Sequence, residues 1–327
     1  MRGSGNPVWD DVTDATDLAA LDPGVPDRWP DAADVVVIGG GAVGLAIGMT
    51  CSRAGLHTVV VERSRCASQA SGRAAGGLAA GAHPELGPRW ESSAKRSLEL
   101  HRTLDAELGY GLRSLDLNVL PDFVIGDQGH VNPLRMCATF ARCVDVLITG
   151  VEAAAVDAAG VVRTPNGAIA AKHIVYATGA APDAARVEHQ SYIRGHVIAT
   201  EPAPFALDAI YASLSDDMLF VQLPSGHIVA GSTREPGRLD EGVDDDCVFE
   251  IRGALERIWP ETARLGVTNR WTCFRPNIVG DLPVVKRTDE RVFVAAGLYS
   301  TGILMAPVVG EVVCDAIIGG HDPHAIG

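Results

Sequence analysis

A glycine-rich segment near residue 40 has the residue types and the spacing that bind a dinucleotide. Residues 39–44 read Gly-Gly-Gly-Ala-Val-Gly, which fits the pattern GxGxxG. Gly39 permits a tight turn, Gly41 lets a pyrophosphate approach the backbone, and Gly44 lets a helix pack closely on a strand. The helix that follows would present its first amides to the phosphates. Those amides belong to Ala42 and Val43.

A carboxylate stands where such a site needs one for a ribose. Glu62 ends a second β-branched run, 58–61, eighteen residues after Gly44. Its oxygens can accept hydrogen bonds from ribose hydroxyls, and its charge disfavours a 2′-phosphate. NADP is therefore disfavoured, while FAD and NAD both remain. Arg63 follows directly and is included among the predicted cofactor-binding residues.

The segment 66–82, CASQASGRAAGGLAAGA, is too small and glycine-rich to form a core element, and it lacks helix or strand periodicity. We interpret it as a loop whose polar groups bind a second stretch of a long cofactor such as FAD. A flexible linker is the alternative, although linkers seldom follow a ribose-binding acid directly. The predicted donors are Ser68, Ser71, Arg73 and the amides of Gly76 and Gly77.

These groups need a framework of strands and helices to position them. The run 35–38 is continuous and β-branched, as is typical of a parallel strand buried on both faces. A small-residue helical stretch, 45–54, follows the glycines. The runs 174–177 and 292–296 predict two more strands, and a turn over 297–302 leads from the last strand into a helix from Ile303 to Ile318.

Three stretches together resemble the D-amino acid oxidase and glycine oxidase (DAO) family of flavoproteins, which includes sarcosine oxidases. They are VVVIGGGAVGL…VVVER with SQASGRAAGG, HIVYATGAAP with YIRGHV, and WTCFRP…GDLPVV with VFVAAGLYSTGILMAPVVGEVV. The similarity covers most of residues 33–320. It implies FAD as cofactor and a D-amino acid oxidase-like α/β fold. In that fold a Rossmann-like, doubly wound FAD-binding domain carries an inserted antiparallel-sheet substrate domain.

The expected domains are discontinuous in sequence. An extended N-terminal arm, 1–30, precedes an FAD-binding domain of residues 31–87, 129–187 and 280–327 and a substrate domain of residues 88–128 and 188–279. The arm lacks helical or strand periodicity, and Trp9 and Trp29 are candidates to anchor it. The chain is shorter than the family pattern between Leu112 and Gly129. That difference suits a substrate larger than glycine, or a pocket completed by a neighbouring subunit.

The resemblance assigns further residues to the cofactor. Thr178 and Gly179 form the turn that returns the chain to the dinucleotide. Val151 occupies the place where the family contacts adenine through backbone atoms, although an ordinary core role is equally compatible. The flavin contacts are Thr301, Gly302, Ile303 and Leu304. They begin a helix whose positive dipole end suits the charge of a reduced flavin, and a connection without a ligand is the alternative.

Three side chains are assigned to the substrate. Arg275 stands where the family binds the substrate carboxylate, which a guanidinium matches bidentately. Arg275 is also included among the predicted cofactor-binding residues. Its alternative is a structural salt bridge. Tyr299 either offers its hydroxyl to the substrate or packs under the flavin. Arg234 either binds a second anionic group or pairs with Glu235 or Asp240 at the surface.

The resemblance implies an FAD-dependent oxidase that acts on the C–N bond of an amino acid or an N-substituted glycine-like amine. A hydride moves to flavin N5, the imine hydrolyses in water, and oxygen reoxidises the flavin with formation of hydrogen peroxide. Two alternatives stay open. One is a dehydrogenase of the same family that passes electrons to a quinone or a protein, and the other is a non-catalytic flavin-binding subunit.

Composition narrows the partners. The 327 residues are 47% hydrophobic, and 41 acidic against 27 basic residues give a net charge of −14, which argues against nucleic acid. Seven cysteines without a CxxC pair, and histidines without HxH or HExxH spacing, suggest neither disulfides nor a metal site. With no uninterrupted apolar run of eighteen residues, we expect a protein that does not bind membranes. The unpaired cysteines suggest a reduced, cytoplasmic protein. A pocket completed by a neighbouring subunit would make it a homo-oligomer. His196 is expected to have a structural hydrogen-bonding role.

Overall fold

The computed structural model describes residues 5–153, 155–179, 190–238, 240–278, 283–324 and 326. Within these ranges the chain forms two β-sheets and seven α-helices. The predicted domain boundaries at 187/188 and at 280 lie outside the described residues.

The strands, in chain order, are β1 (Ala32–Ile38), β2 (Thr58–Val61), β3 (Gly77–Leu78), β4 (Arg113–Leu120), β5 (Phe123–His130), β6 (Val146–Ile148), β7 (Ala155–Val156), β8 (Val161–Thr164), β9 (Gly167–Tyr176), β10 (Gln190–Thr200), β11 (Ile210–Ser213), β12 (Met218–Gln222), β13 (Ile228–Gly231), β14 (Glu235–Pro236), β15 (Val267–Ile278), β16 (Val284–Asp289) and β17 (Val292–Ala296). The helices are α1 (Trp9–Val12), α2 (Ala15–Ala20), α3 (Ala42–Arg53), α4 (Gly87–Leu108), α5 (Pro133–Ala141), α6 (Asp245–Ile258) and α7 (Gly302–Gly319).

The first sheet has the strand order β16-β17-β9-β1-β2-β6, and all neighbours are parallel except β16 and β17. Side chains alternate across β1, as a strand buried on both faces requires. Val35 and Val37 pack in the core that contains α3, α5 and α7. Val36 and Ile38 face a second core, which the β7–β8 hairpin covers. The sequence-based prediction of a buried parallel sheet with the order strand, glycines, helix, strand is confirmed.

The second sheet has the order β14-β10-β13-β12-β11-β4-β5-β3, and β15 pairs with β10. It is antiparallel apart from β11 and β4, which are parallel. Two short pieces of the predicted FAD-binding domain, 77–78 and 129–130, belong to this sheet. The pairing of β10 with β15 runs over most of both strands and fixes the register of the residues that matter below.

The N-terminal segment differs from the extended arm that was predicted. It contains α1 and α2, and Val8, Trp9 and Leu21 are fully buried or nearly so. The Trp9 Nε1 donates to the carbonyl of Ala74 at 2.8 Å, and the amide of Cys66 donates to the carbonyl of Leu21 at 2.9 Å. Helices of four and six residues are too short to show a 3.6-residue period, so the pattern gave no signal.

Helix α7 is the one helix in the described part of the chain that is long and apolar enough to cross a membrane by length and composition. Of its residues, 67% are buried inside the protein. Its apolar face packs into the core together with α3, and a Cβ on Gly310 would lie 2.8 Å from the carbonyl oxygen of Ala46. A central core helix of a globular protein has this composition.

Candidate active site

The glycine motif forms the turn between β1 and α3. Gly39 has a φ of +112°, and a Cβ built on it would lie 2.4 Å from the carbonyl oxygen of Ala177. A Cβ on Gly44 would lie 1.9 Å from the carbonyl oxygen of Gly39. At Gly41, by contrast, a Cβ would meet only the Oγ of Ser71, at 3.2 Å. Two glycines therefore let backbone segments touch, and Gly41 leaves open space beside the start of α3.

Glu62 lies at the end of β2 with both oxygens on this turn. Its Oε2 accepts from the amide of Gly40 at 2.7 Å, and its Oε1 accepts from the amide of Ser64 at 2.9 Å. A carboxylate has about four acceptor positions, so Glu62 retains capacity for ribose hydroxyls. The Oγ of Ser71 accepts from the amide of Ala42 at 2.9 Å, which ties the 66–82 segment to the first residue of α3.

Three further predicted cofactor residues, Arg63, Val151 and Thr178, lie near the turn. Arg63 is exposed. The amide of Val151 donates to the carbonyl of Glu62 at 3.1 Å, and its side chain is buried in the core, which agrees with both interpretations because the predicted adenine contact uses backbone atoms. Thr178 follows Ala177, and its Cα would lie 3.2 Å from a Cβ on Gly39.

The 66–82 segment is partly a core element, contrary to the prediction. Cys66, Ala67 and Leu78 are at most 3% exposed, and β3 pairs with β5. Its small residues are buried because other backbone approaches closely: a Cβ on Gly76 would lie 2.2 Å from the carbonyl oxygen of Val131.

Arg73 fixes this segment to the second sheet. Its Nε donates to the carbonyl of Ser68 at 3.1 Å and its Nη1 to the carbonyl of Thr272 at 3.0 Å. Two of its five N–H groups are thus used inside the protein, and we assign Arg73 a positioning role beside its predicted contact with the cofactor.

A cavity of about 350 Å³ extends from the start of α3 to the turn before α7 and to the second sheet. It brings together most of the predicted site residues from both ends of the sequence. Those that line it are Gly41, Ala42, Val43, Ser71, Arg73, Gly76, Gly77, Gly179, Arg234, Arg275, Tyr299, Thr301, Gly302, Ile303 and Leu304. The predicted residues outside its lining are Gly39, Gly44, Glu62, Arg63, Ser68, Val151 and Thr178.

The shape of this lining fits FAD. The open side of Gly41 offers the close approach that a pyrophosphate needs, and Glu62, just outside the lining, accepts from the amide of the adjacent Gly40, where a ribose would follow. The other end is formed by the first turn of α7, whose amides have no partner within the helix. An elongated dinucleotide with a second ring system at the α7 end matches both ends of the cavity.

The first turn of α7 has a carbonyl that the helix leaves without a partner, and α4 supplies one. Pro307 lies inside the helix and lacks an amide, so the carbonyl of Ile303 loses its usual partner. The Nε2 of His101, on α4, lies 3.1 Å from the carbonyl oxygens of Ile303 and Leu304. Burial lowers the pKa of His101 to about 4, so the ring is neutral near pH 7 and its Nε2–H can donate to these carbonyls.

Ser97, one turn before His101, also bonds to the backbone of α7. Its Oγ donates to the carbonyl of Leu304 at 2.6 Å and accepts from the amide of Val308 at 3.2 Å. Thr301, at the N-cap of α7, donates its hydroxyl to the carbonyl of Leu298 at 2.7 Å. The backbone at the start of α7 is therefore held by side chains of α4 as well as by its own helix.

Two arginines and one tyrosine line a further part of the cavity, and the tyrosine, Tyr299, belongs to the turn just before α7. The guanidinium carbons of Arg275 and Arg234 lie 5.7 and 5.8 Å from the centroid of the Tyr299 ring. Arg275 donates to the Oγ of Ser232 through Nη2 and to the carbonyl of Thr233 through Nη1. Both acceptors are neutral, and within the described residues Arg275 makes no salt bridge. Arg275 therefore brings to the cavity a positive charge that no acidic side chain among the described residues neutralises by direct contact.

The predicted surface pairing of Arg234 with Glu235 or Asp240 is wrong. Arg234 pairs with Asp217 and donates to the hydroxyl of Tyr299 at 2.7 Å. Glu235 and Asp240 instead bind Arg194, which is fully buried. Side chains alternate along the chain here, so Glu235 faces Arg194 of β10 while Arg234 faces the cavity.

One group of described residues has the spacing of metal ligands: His196, Glu235, Asp244 and Cys247, with ligand atoms within 4.8 Å of one another. Arg194 already donates to both carboxylates. The Nε2 of His196 accepts from the amide of Asp244, and its Nδ1 lies 3.0 Å from the Oγ1 of Thr233. These contacts leave little for a cation to bind, and they agree with the structural role predicted for His196.

Several site residues were missed by sequence reasoning. Gly195 makes room for Arg275, and a glycine within a strand was the available signal. His83 lines the cavity, with its Nδ1 2.9 Å from Glu85 Oε1 and its Nε2 3.3 Å from Ser300 Oγ. Asp217 is brought in only by the tertiary fold. No local pattern marks His83 or Asp217.

Comparison with known proteins decides the family. Residues 34–117 and 113–316 match the family model described as DAO, FAD dependent oxidoreductase. The chain belongs to this family. The DAO resemblance, the D-amino acid oxidase-like fold and the choice of FAD over NAD are therefore confirmed.

Individual relatives of this DAO-family protein include glycine oxidases. The glycine oxidase of Bacillus licheniformis is 26% identical over 347 residues, which cover 88% of this chain and 93% of that protein. The structure of glycine oxidase from Geobacillus kaustophilus aligns with a TM-score of 0.82 at 22% identity, covering 88% of this chain and 95% of that one. L-proline dehydrogenase from P. horikoshii aligns with a TM-score of 0.82 at 20% identity, covering 90% and 95%. At these identities the structural likeness shows the fold.

Proposed function

We propose that this FAD-dependent oxidoreductase oxidises the C–N bond of an amino acid or an N-substituted glycine-like amine. The observation that carries the proposal is Arg275, a cation without a carboxylate partner among the described residues, in the same cavity as the first turn of α7. A guanidinium in this setting is suited to a carboxylate. The relatives named glycine oxidase and proline dehydrogenase support the same substrate class.

The protein's main task is to orient the substrate. Ser232 and Thr233 take two of the five N–H donors of Arg275 and thereby hold the guanidinium, which leaves the others for a substrate carboxylate. Tyr299 lies under the guanidinium and limits where the substrate can go. When bound, FAD supplies the two-electron acceptor for the hydride. Because positioning provides much of the rate in such a reaction, a dedicated base is not required.

Substitution of Arg275 tests this proposal. Arg275→Ala should retain bound FAD, seen as an unchanged yellow spectrum, and lose turnover of carboxylate-bearing amines. Arg264→Ala, at an exposed position, is the matched control. Unchanged kinetics in Arg275→Ala would refute the role of the arginine, and absence of flavin reduction by any amine in the native enzyme would refute the proposed function.

Oxygen is the proposed electron acceptor, and release of hydrogen peroxide in air tests it. A dehydrogenase would reduce its flavin with the same amines but form little peroxide. A non-catalytic flavin-binding subunit would show no flavin bleaching when amino acids are added without oxygen. A cytoplasmic location and a homo-oligomeric state remain part of the proposal.

A further inference from the structure

We propose that Arg234 binds a second anionic group of the substrate, so that the preferred substrate is an amine that carries two carboxylates. This inference rests on the proposed function and names the substrate class of the same site. Arg234 lines the same cavity as Arg275, and the two guanidinium groups lie at similar distances from one ring, that of Tyr299.

The position of Arg234 is built by the fold. Its neighbour Glu235 is engaged with Arg194, which requires the side chain of Arg234 to leave the chain on the other side. The Nη1 of Arg234 donates to the hydroxyl of Tyr299 at 2.7 Å. Tyr299 is fixed in turn by its amide, which donates to the carbonyl of Pro276 at 2.8 Å. The guanidinium is therefore directed at the cavity and held there by a cavity residue.

The charge of Arg234 is compensated by one anion among the described residues, Asp217, which it contacts bidentately through Nε and Nη2. Its partner Asp217 has a side chain that is 61% exposed, and Arg234 itself is 46% exposed. Asp217 occupies Nε and one N–H of Nη2, and the Tyr299 hydroxyl occupies one N–H of Nη1, so two of the five N–H groups of Arg234 remain for a substrate carboxylate. Arg194 provides the contrast, because it is fully buried among Glu235, Asp240 and Asp244 and is not available to a ligand.

Three arginines, Arg73, Arg234 and Arg275, line the cavity together with one acidic side chain, Asp217. The two arginines beside Tyr299 favour a doubly charged ligand over an empty site. Each repels the other, and Arg275 has only neutral partners among the described residues. A substrate with one carboxylate would neutralise Arg275 and leave Arg234 dependent on Asp217. A substrate with two carboxylates would satisfy both guanidinium groups at once. The second carboxylate can stand on the α-side chain or on the nitrogen substituent.

Matched substrate pairs test the proposal in the FAD-loaded enzyme. N-(carboxymethyl)glycine is compared with sarcosine for the nitrogen substituent, and each enantiomer of aspartate with the same enantiomer of alanine for the side chain. Anaerobic flavin reduction gives a Kd for each compound. We expect at least one dicarboxylate to bind tenfold or more tightly than its monocarboxylate partner. The pair that shows the preference identifies where the second carboxylate stands.

Variants at position 234 provide the decisive comparison. Arg234→Gln should bring the ratio of the two Kd values close to one, Arg234→Lys should retain part of it, and the exposed control Arg264→Gln should leave it as in the native enzyme. A ratio near one in the native enzyme, or an unchanged ratio in Arg234→Gln, would overturn the proposal.

A binding measurement separates this inference from the proposed function. Calorimetric titration with succinate and with butyrate, which have no amine to oxidise, reports the second carboxylate without catalysis. Tighter binding of succinate that Arg234→Gln abolishes would support the role of Arg234 even if no amine reduced the flavin. Equal binding of the two acids would refute it even if the enzyme oxidised amines.

Discussion

The guanidinium of Arg275 occupies the space that a side chain at position 195 would need. A Cβ built on Gly195 would lie 2.6 Å from the Nη2 of Arg275 and 2.8 Å from the carbonyl oxygen of Thr233. The long pairing of β10 with β15 sets this contact, because Ile193 is opposite Arg275. The orientation of the proposed carboxylate-binding group thus depends on a glycine of the neighbouring strand.

Gly195→Ala should therefore displace Arg275 and lower kcat/KM for carboxylate-bearing amines by tenfold or more, mainly through a higher KM. FAD content should stay near one per chain, because Gly195 does not line the cavity. Gly253→Ala in α6, where the nearest contact is the flexible Arg257, is the control. An unaltered KM in Gly195→Ala would contradict the steric argument.

Two glycines of the motif, Gly41 and Gly44, should respond differently to alanine. Gly44→Ala would force a Cβ to 1.9 Å from the Gly39 carbonyl oxygen, a backbone atom that cannot move aside cheaply, so we expect a loss of several kcal/mol in unfolding free energy. Gly41→Ala has open space apart from Ser71 Oγ, so the FAD-free protein should unfold as the native one does while FAD affinity falls. Urea unfolding and FAD titration check both. Equal loss of stability in the two variants would disprove the distinction.

Glu62→Gln should weaken FAD binding by roughly tenfold to a hundredfold, since hydrogen bonds to a charged group contribute about 1.5–3 kcal/mol. The change keeps the size of the side chain and an acceptor for the Gly40 amide, and the exposed Ser64 amide, which loses its acceptor, can bond to water, so the fold should persist. Glu152→Gln, at an exposed position directly after Val151, is the control. Fluorescence titration of FAD gives both affinities, and native-like affinity in Glu62→Gln would argue against a ribose contact.

His101 should make the protein less stable in mild acid. Burial lowers its pKa to about 4 from the usual 6.5, so the unfolded state binds more protons between these values. The contribution is complete above pH 6.5 and is lost as the pH falls towards 4; between pH 7 and pH 5 it changes by about 2 kcal/mol. His101→Gln should remove that part of the pH dependence, measured by urea unfolding at saturating FAD.

His130 provides an independent check on the same reasoning. Burial lowers its pKa to about 4 as well, and its Nε2 lies 3.1 Å from the carbonyl oxygen of Ala75. His130→Gln should flatten the pH dependence by a similar amount, and the double variant by about twice as much. A native slope in both single variants would show that these rings are not buried in the neutral form.

Features that depend on neighbours in sequence could be predicted, and those that depend on distant segments could not. Gly39, Gly41 and Gly44 specify their own turn, and the β-branched runs specify buried strands whatever surrounds them. Glu62 follows from its place at a strand end. These local rules were enough for a dinucleotide-binding strand, turn and helix, whereas the choice of FAD over NAD and the second sheet came from the resemblance to the DAO family.

The partners of Arg234 illustrate the limit. Asp217 and Glu235 are both acidic and near in sequence, and only the register of β14 on β10 decides which one Arg234 meets. The same applies to His101, whose partner carbonyl is 202 residues away and becomes free because of Pro307. Such pairings leave no pattern in the chain itself.

The buried N-terminal segment makes cofactor occupancy detectable far from the flavin. Trp9 is bonded to Ala74 and Leu21 to Cys66, and these two loop residues flank Ser71 and Arg73 of the cavity lining. We therefore expect docking of the segment to strengthen FAD binding, and linkage requires FAD to strengthen the docking by the same factor. A protease that cuts within residues 5–25 should act faster on the FAD-free enzyme, so the rate of clipping there would serve as an assay of cofactor loading.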